Sequence, residues 1–223
     1  MKSGILFVVA TPIGNYQDIT LRALQVMRDA DVIVCEELRE GSTLLKKVGV
    51  EGKELVTLNE HNEDEQTGNL MVRLHKGDSL ALISDCGTPA FADPGARLVE
   101  EALQQGVKVT PIPGASSLVA TLSVTPSALK EFYFAGFLPR KDEERISKLK
   151  HLQSLKNNII LMDTPYRLGK ILEEAQLVFG KQRQATLTLD LTLPGEMILH
   201  DTLQAIRSRV SGRKGEFVLI IHR

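Results

Sequence analysis

A run of small, rigid and acidic residues, Ser84-Asp85-Cys86-Gly87-Thr88-Pro89, follows directly on the apolar stretch Leu80-Ala81-Leu82-Ile83 and continues as Ala90-Phe91-Ala92-Asp93-Pro94-Gly95. A buried strand that opens into such a loop is suited to hold a ligand. Gly87 admits backbone angles and a close approach that a Cβ would block. Pro89 and Pro94 fix φ and leave the loop few conformations. Asp85 falls where open α/β sheets place ligand contacts, at the carboxyl end of a strand. Two charged clusters follow other strand-like runs: Glu36-Glu37-Leu38-Arg39 and Glu60-His61-Asn62-Glu63. Carboxylates, an imidazole and a guanidinium at strand ends can orient an acceptor or move a proton. Glu36, Glu37, Arg39 and His61 are therefore the candidate catalytic groups, and a solvated charged loop is the other reading of each cluster. His75, His151, His200 and His222 fall on helices or near strand ends and read as incidental. No set of His and Cys has metal-ligand spacing, so no metal site is expected.

Two further loops have the same placement. Thr11-Pro12-Ile13-Gly14-Asn15 follows the apolar run at 5–9, and Pro113-Gly114-Ala115-Ser116-Ser117 joins a strand to a helix that Ser116 or Ser117 can cap. The first lacks both a Gly-x-Gly-x-x-Gly fingerprint and a Gly-Lys-Ser/Thr phosphate loop, which argues against a nicotinamide, flavin or Walker-type site. Either loop alone reads equally as a turn or a cap. Three such loops after strands of one sheet point to a shared ligand.

The elements that position these loops alternate regularly. Strands are predicted at 5–9, 32–35, 55–58, 80–83 and 107–111. Helices are predicted after Thr20, around 42–48, at 64–75, at 96–105 with Gly106 as stop signal, and from 116 to 123. That alternation gives a mostly parallel sheet covered on both faces. After Val124-Thr125-Pro126 the pattern changes. Strands at 132–138, 158–162, 185–191, 196–199 and 216–221, with helices at 141–155, 166–178 and 203–210, suggest a mixed or antiparallel sheet. A domain boundary is expected near 123–130, giving domains 1–125 and 126–223 with a cleft between them. The charged stretch Arg140, Lys141, Arg145, Lys148 and Lys150, interrupted by Asp142, Glu143 and Glu144, reads as a solvated helix with paired charges.

The chain has 223 residues, 43% hydrophobic and 25% charged, with a formal net charge of −1. Those values are ordinary for a soluble globular protein and argue against a strongly basic nucleic-acid binder, while leaving room for a local basic face. Cys35 and Cys86, the two cysteines, both follow apolar runs and are expected to be buried thiols in a reducing compartment. No apolar run is long enough to span a membrane. The start, Met1-Lys2-Ser3-Gly4, shows no signal-peptide cleavage region, and a cytoplasmic protein is expected.

Taken together, these segments resemble the tetrapyrrole methylase superfamily, and within it the bacterial small-subunit (16S) ribosomal RNA cytidine ribose 2′-O-methyltransferases. The resemblance is carried, in order along nearly the whole chain, by Val9-Ala10-Thr11-Pro12-Ile13-Gly14-Asn15 with Asp18-Ile19-Thr20-Leu21-Arg22-Ala23-Leu24, by Glu60-His61-Asn62-Glu63, by Ser84-Asp85-Cys86-Gly87-Thr88-Pro89 with Asp93-Pro94-Gly95, by Pro113-Gly114, by Gly136-Phe137-Leu138-Pro139-Arg140-Lys141, and by Lys214-Gly215-Glu216-Phe217-Val218-Leu219. It implies a two-domain α/β fold with a mostly parallel N-terminal sheet, a mixed C-terminal sheet and S-adenosylmethionine in the cleft between domains, and it implies a homodimer. By position it makes Pro12, Asp85, Thr88, Ser116, Ser117 and Met162 the cofactor contacts and small-subunit ribosomal RNA the partner. The family's Glu-Asp-Thr-Arg stands here as Glu36-Glu37-Leu38-Arg39. Its Tyr-Glu-Ser-Pro-His-Arg stands as Met162-Asp163-Thr164-Pro165-Tyr166-Arg167, and its Arg-Glu-Leu-Thr-Lys as Leu189-Asp190-Leu191-Thr192-Leu193. Many members also carry a further C-terminal segment. Losing two cations weakens attraction for phosphate. The alternative activities are methylation of a tetrapyrrole or other small acceptor, and cofactor binding without catalysis.

Overall fold

The computed structural model describes residues 4–91, 93–126 and 129–223. The first three residues, Ala92 of the loop at 84–95, and residues 127 and 128 of the expected boundary lie outside the described residues. Two compact units divide the chain, one ending at Ser116 and the other beginning at Ser117. The division falls ahead of 123–130 because a helix there belongs to the second unit. In α5 (Ser117–Ser123), Leu118 and Leu122 lie against Ile160, Val218 and Ile220 of the second sheet.

In the first unit, β1 (Ile5–Val9), β2 (Val32–Cys35), β3 (Glu54–Thr57), β4 (Leu80–Ile83) and β5 (Lys108–Ile112) form one sheet in the order β3-β2-β4-β1-β5. Every pairing in it is parallel. Helices α1 (Leu21–Asp29), α2 (Leu38–Lys47), α3 (Glu63–Lys76) and α4 (Ala96–Gln104) connect the strands. Because side chains alternate along a strand, each strand feeds two cores. Leu6, Val32, Val34, Leu80 and Leu82 face Leu70, Leu74 and Leu98. Val9, Ile33, Cys35, Ala81 and Ile83 face Ala23, Met27 and Leu44. Thr20 caps α1 as its sequence position suggests, its side chain accepting from the Ala23 N–H at 3.1 Å.

Helix α2 starts earlier than the 42–48 expected from sequence. Ser42 looks like a cap, but its Oγ donates back to the Arg39 carbonyl at 3.1 Å from inside the helix. The residue at the true N-cap, Glu37, makes no side-chain cap hydrogen bond, so the start carries no sequence signal. This moves Arg39 and Glu40 from a loop onto the first turn of a helix.

In the second unit, β6 (Phe132–Gly136), β7 (Asn158–Asp163), β8 (Gln184–Leu189), β9 (Met197–Thr202) and β10 (Phe217–Ile221) form a sheet in the order β6-β7-β10-β8-β9. β6 and β7 are parallel and the remaining pairs antiparallel, giving the mixed sheet the sequence suggests. Helices α6 (Asp142–Ser154), α7 (Leu168–Phe179) and α8 (Leu203–Arg209) contribute to a core with Ile159, Leu161, Leu187 and Leu219.

Among the described residues, Arg145, Glu174 and Asp163 are charged side chains buried in this unit. Arg145 of α6 is only 2% exposed. Its Nε and Nη2 donate to the Glu174 carboxylate of α7 at 2.5 and 2.7 Å. Nη1 donates to the Pro139 and Arg140 carbonyls at 3.1 and 2.7 Å, and Nη2 also reaches Asp142 at 2.8 Å. A guanidinium with every donor direction used tolerates burial, and the bonded Glu174 holds it charged by raising its pKa. Replacing Arg145 by Met strands the Glu174 carboxylate and should destabilise the protein by about 3–5 kcal/mol. The double variant Arg145→Met with Glu174→Leu should recover most of that loss in chemical denaturation.

Candidate active site

The site edge of the first unit is where the loops after β1, β2, β4 and β5 emerge. In the order β3-β2-β4-β1-β5, β1 and β4 are adjacent while their chains depart to opposite sides of the sheet, the arrangement that opens a ligand crevice at carboxyl ends. Thr11, 1% exposed, joins the two central loops. Its backbone N–H donates to the Gly87 carbonyl at 2.8 Å. Its hydroxyl donates to the Ser84 carbonyl at 2.9 Å and accepts from the Gly87 N–H at 3.2 Å. Gly87 has φ +89°, and a Cβ there would stand 3.2 Å from Ile13 Cγ2. The loop is tied further by Ser84 Oγ, which donates to Asp93 at 2.6 Å and accepts from the Cys86 N–H at 3.0 Å. Thr88 Oγ1 donates to the Ala115 carbonyl at 3.3 Å, linking the loop after β5. Glu63 accepts from the Gly95 N–H at 2.9 Å and anchors the far end.

Between these loops is a recess of about 150 Å³, lined among others by Pro12, Ile13, Tyr16, Glu40, Ser84 and Asp85. Ligand pockets generally measure ~300–1,000 Å³, so this recess takes part of a ligand. Its rim is acidic. The Asp85 carboxylate accepts from the Glu37 backbone N–H, yet its pKa is raised, first by burial of its inner side and then by Glu40, Glu37 and Asp93. Glu36, half-buried, is raised by burial and by Asp85, Asp93, Glu37 and Glu60. Burial with Asp85 and Glu37 pushes the Cys35 thiol up to about 11, leaving it protonated and unreactive.

The sequence-predicted residues separate accordingly. Pro12 is buried in the recess wall, Asp85 stands on its rim, and Thr88 is exposed but bonded. Glu36 and Glu37 join the carboxylate cluster. Arg39 is exposed on the first turn of α2. His61 is turned outward: its imidazole meets Glu60 at 3.7 Å with 84% of the side chain exposed, and its backbone N–H donates to Asn59 Oδ1. Ser116 is half-buried at the end of the first unit; Ser117, at the start of α5, and Met162, on β7, belong to the second unit. Cys86 is exposed, contrary to the buried thiol expected, because the apolar run ends at Ile83 and the chain has already turned outward. Glu40 and Tyr16 escaped the sequence reading. Glu40 was hidden by the missed start of α2, and Tyr16 by a short 3-10 turn, Tyr16–Asp18. Among the described residues no group of three or more His, Cys, Asp or Glu side chains is placed to hold a metal ion, and no helix is long and apolar enough to cross a membrane.

A parallel-sheet edge with clamped loops at its carboxyl ends is where open α/β enzymes place their ligands. Residues 6–207 match the family model for tetrapyrrole (corrin/porphyrin) methylases. The chain belongs to that family, and it is an S-adenosylmethionine-dependent methyltransferase. It is 40% identical over 222 residues to ribosomal RNA small subunit methyltransferase I of Xylella fastidiosa, covering 98% of this chain and 81% of that relative. It is 39% identical over 228 residues to the protein of the same name from Pseudomonas aeruginosa, covering 99% and 79%. Among solved structures, diphthine synthase superposes with a TM-score of 0.73 at 19% identity over 99% of this chain and 90% of the other. Uroporphyrin-III C-methyltransferase from Thermus thermophilus, complexed with S-adenosyl homocysteine, superposes with 0.66 at 19% identity over 97% and 96%.

The first unit's residues fit this cofactor. A sulfonium and an α-ammonium are cations, and the recess offers Asp85 and Glu40, with Glu36 and Glu37 close enough to Asp85 to interact with it electrostatically.

Asp85→Asn should weaken S-adenosylmethionine binding by about tenfold in calorimetry, through loss of one opposing charge. The same change relieves repulsion and should raise Tm. Screening at the exposed outer edge of Asp85 keeps the gain under ~1 kcal/mol, so the rise is at most about 2–4 °C. The pH sign agrees: a carboxylate whose folded pKa is raised lends its stability below the unfolded pKa and loses it as pH rises through the folded one. Cofactor affinity should instead fall on acidification, beginning above the ordinary carboxylate range, and Asp85→Asn should flatten that fall. Thr11→Val leaves the Ser84 carbonyl and Gly87 N–H unpaired and should cost about 1–3 kcal/mol, together with cofactor affinity.

Proposed function

We propose that the protein methylates the ribose 2′-oxygen of a cytidine in small-subunit ribosomal RNA. The observation that carries this reading is identity of about 40% over nearly the whole chain to relatives named ribosomal RNA small subunit methyltransferase I, joined to an ordered cofactor-side loop network. When bound, S-adenosylmethionine supplies an electrophilic methyl, which the hydroxyl oxygen takes as the carbon–sulfur bond breaks and the hydroxyl proton passes to a base. A neutral alcohol is a poor nucleophile, so a positioned carboxylate accelerates the step. Glu36 is the favoured base, because its raised pKa, caused first by burial and then by Asp85 and Asp93, makes it a better proton acceptor than an ordinary carboxylate. Glu37, in this reading, holds Asp85 through its backbone N–H. Arg39, on the first exposed turn of α2, offers a guanidinium to a phosphate, and His61 offers an imidazole outside the carboxylate cluster. Pro12, Asp85, Thr88, Ser116, Ser117 and Met162 are the proposed cofactor contacts. A homodimer and a cytoplasmic location accompany the reading.

The test is methyl transfer from labelled S-adenosylmethionine to small ribosomal subunits, followed by nucleoside mass spectrometry. Label in 2′-O-methylcytidine supports the assignment. Label on a base alone, or transfer only to a tetrapyrrole, overturns it. At saturating cofactor, Glu36→Gln should lower kcat by about 10²–10⁴, and undiminished turnover would remove Glu36 from the mechanism. His61→Ala, run alongside, separates a proton-moving imidazole from a surface one.

A further inference from the structure

Nucleic acid brings phosphates, and the acidic rim of the first unit repels them. Cations paired with aromatic rings occur at one edge of the second sheet. The register of β6, β7, β8 and β10 brings the loops at 137–141, 164–167, 190–196 and 213–216 to the same edge. These loops are stitched to one another. Arg167 donates from Nη1 to the Leu138 carbonyl at 3.0 Å and from Nη2 to the Pro139 carbonyl at 2.7 Å. Asp163 holds Arg167 at 3.1 Å. Asp190, at φ +50°, accepts from the Glu216 N–H at 3.1 Å. Gly215 lies so close that a Cβ there would stand 2.4 Å from Asp190 Oδ1.

Three apolar side chains remain exposed at this fastened edge: Tyr166 at 78%, Phe137 at 51% and Leu193 at 40%. Lys214 Nζ lies 4.9 Å from the Tyr166 ring centroid. Arg140, Arg213 and Lys214 are exposed, and none has a carboxylate partner among the described ion pairs. Of the neighbouring acids, Asp142 pairs with Arg145 and Lys170, Glu144 with Lys141, and Glu196 accepts from the Thr192 N–H, while Glu143 and Glu216 have no ion-pair partner among the described residues. Large rings on pinned loops are not explained by packing, since burying them would be favourable. Exposed aromatics beside free cations suit single-stranded RNA, whose bases stack on rings while lysine and arginine meet phosphates.

We infer that this edge of the second sheet is a docking platform for an unpaired RNA segment, with Tyr166 as the stacking ring and Arg140 and Lys214 as phosphate contacts. The inference rests on the ribosomal RNA reading and adds the surface that would engage the substrate.

The test is fluorescence anisotropy of the full chain with a labelled, unstructured RNA of about 12 nucleotides, with an RNA duplex as comparison and circular dichroism of each variant. Tyr166→Ala should weaken single-strand binding roughly 5- to 150-fold, and Tyr166→Phe should retain it. Lys214→Gln and Arg140→Gln should each lower the slope of log affinity against log salt by about 0.7. Folded Tyr166→Ala that binds as tightly as the parent overturns the inference, as does a parent that binds no single strand or prefers the duplex. If the parent methylates small subunits while Tyr166→Ala binds and methylates equally well, the platform fails and the proposed function stands. If the parent transfers no methyl to small subunits yet Tyr166→Ala loses single-strand affinity, the function fails and the platform stands.

Discussion

The Thr11 side chain and backbone together hold the site edge of the first unit in shape. One residue, almost wholly buried, donates to the carbonyls at Ser84 and Gly87 and accepts from the Gly87 N–H. Its partners lie more than seventy positions away in sequence. The β1–β4 ladder fixes register only as far as Val9 and Ile83, and beyond it this tie joins the two departing loops. With it, Pro12 and Ile13 become a wall, Gly87 can keep its left-handed backbone, and Asp85 is placed on the rim beside Glu36 and Glu37. The carboxylate repulsion there is a standing cost to folding, which the loop network makes tolerable. Pre-set polar groups of this kind need no rearrangement when a cation arrives.

The two units divide electrostatic labour. The first gathers carboxylates around a small recess, which suits a sulfonium and disfavours phosphate. The second carries exposed rings and cations on loops pinned by Arg167 and Asp190, and buries Arg145 where it meets Glu174 and two carbonyls. A net charge of −1 is therefore an average over unlike surfaces, and it conceals both.

Much of this was legible in the sequence. The alternation of short apolar runs with capped helical stretches gave the parallel sheet, and the crowding of strands after residue 130 gave the mixed one. The glycine and proline content of the loop at 84–95 marked it as conformationally special, and Gly87 does adopt positive φ. What stayed hidden has physical causes. The start of α2 was obscured because Ser42, a residue type that favours caps, instead bonds back to the Arg39 carbonyl. That error kept Glu40 off the list of site residues. Cys86 read as buried because it closely follows an apolar run, though the chain turns outward after Ile83. Residues joined through space, such as Arg145 with Glu174 or Asp190 with Gly215, leave no periodic trace, so no pattern in the sequence could have paired them.

The strand order of the second sheet bears on how the protein is made. β10, the last strand in sequence, sits at the centre, between β7 and β8. On the ribosome, β6, β7, β8 and β9 leave the exit tunnel as two unjoined pairs that cannot share a core until residues 217–221 follow. The ties of the first unit all close within its own residues, so that unit can complete its sheet while the second is still being synthesised. During that interval, β7 and β8 present unpaired backbone and the apolar faces of Ile159, Leu161 and Leu187 to solvent. The nascent chain is then most exposed to aggregation and most in need of chaperone cover, long after its first unit has taken shape.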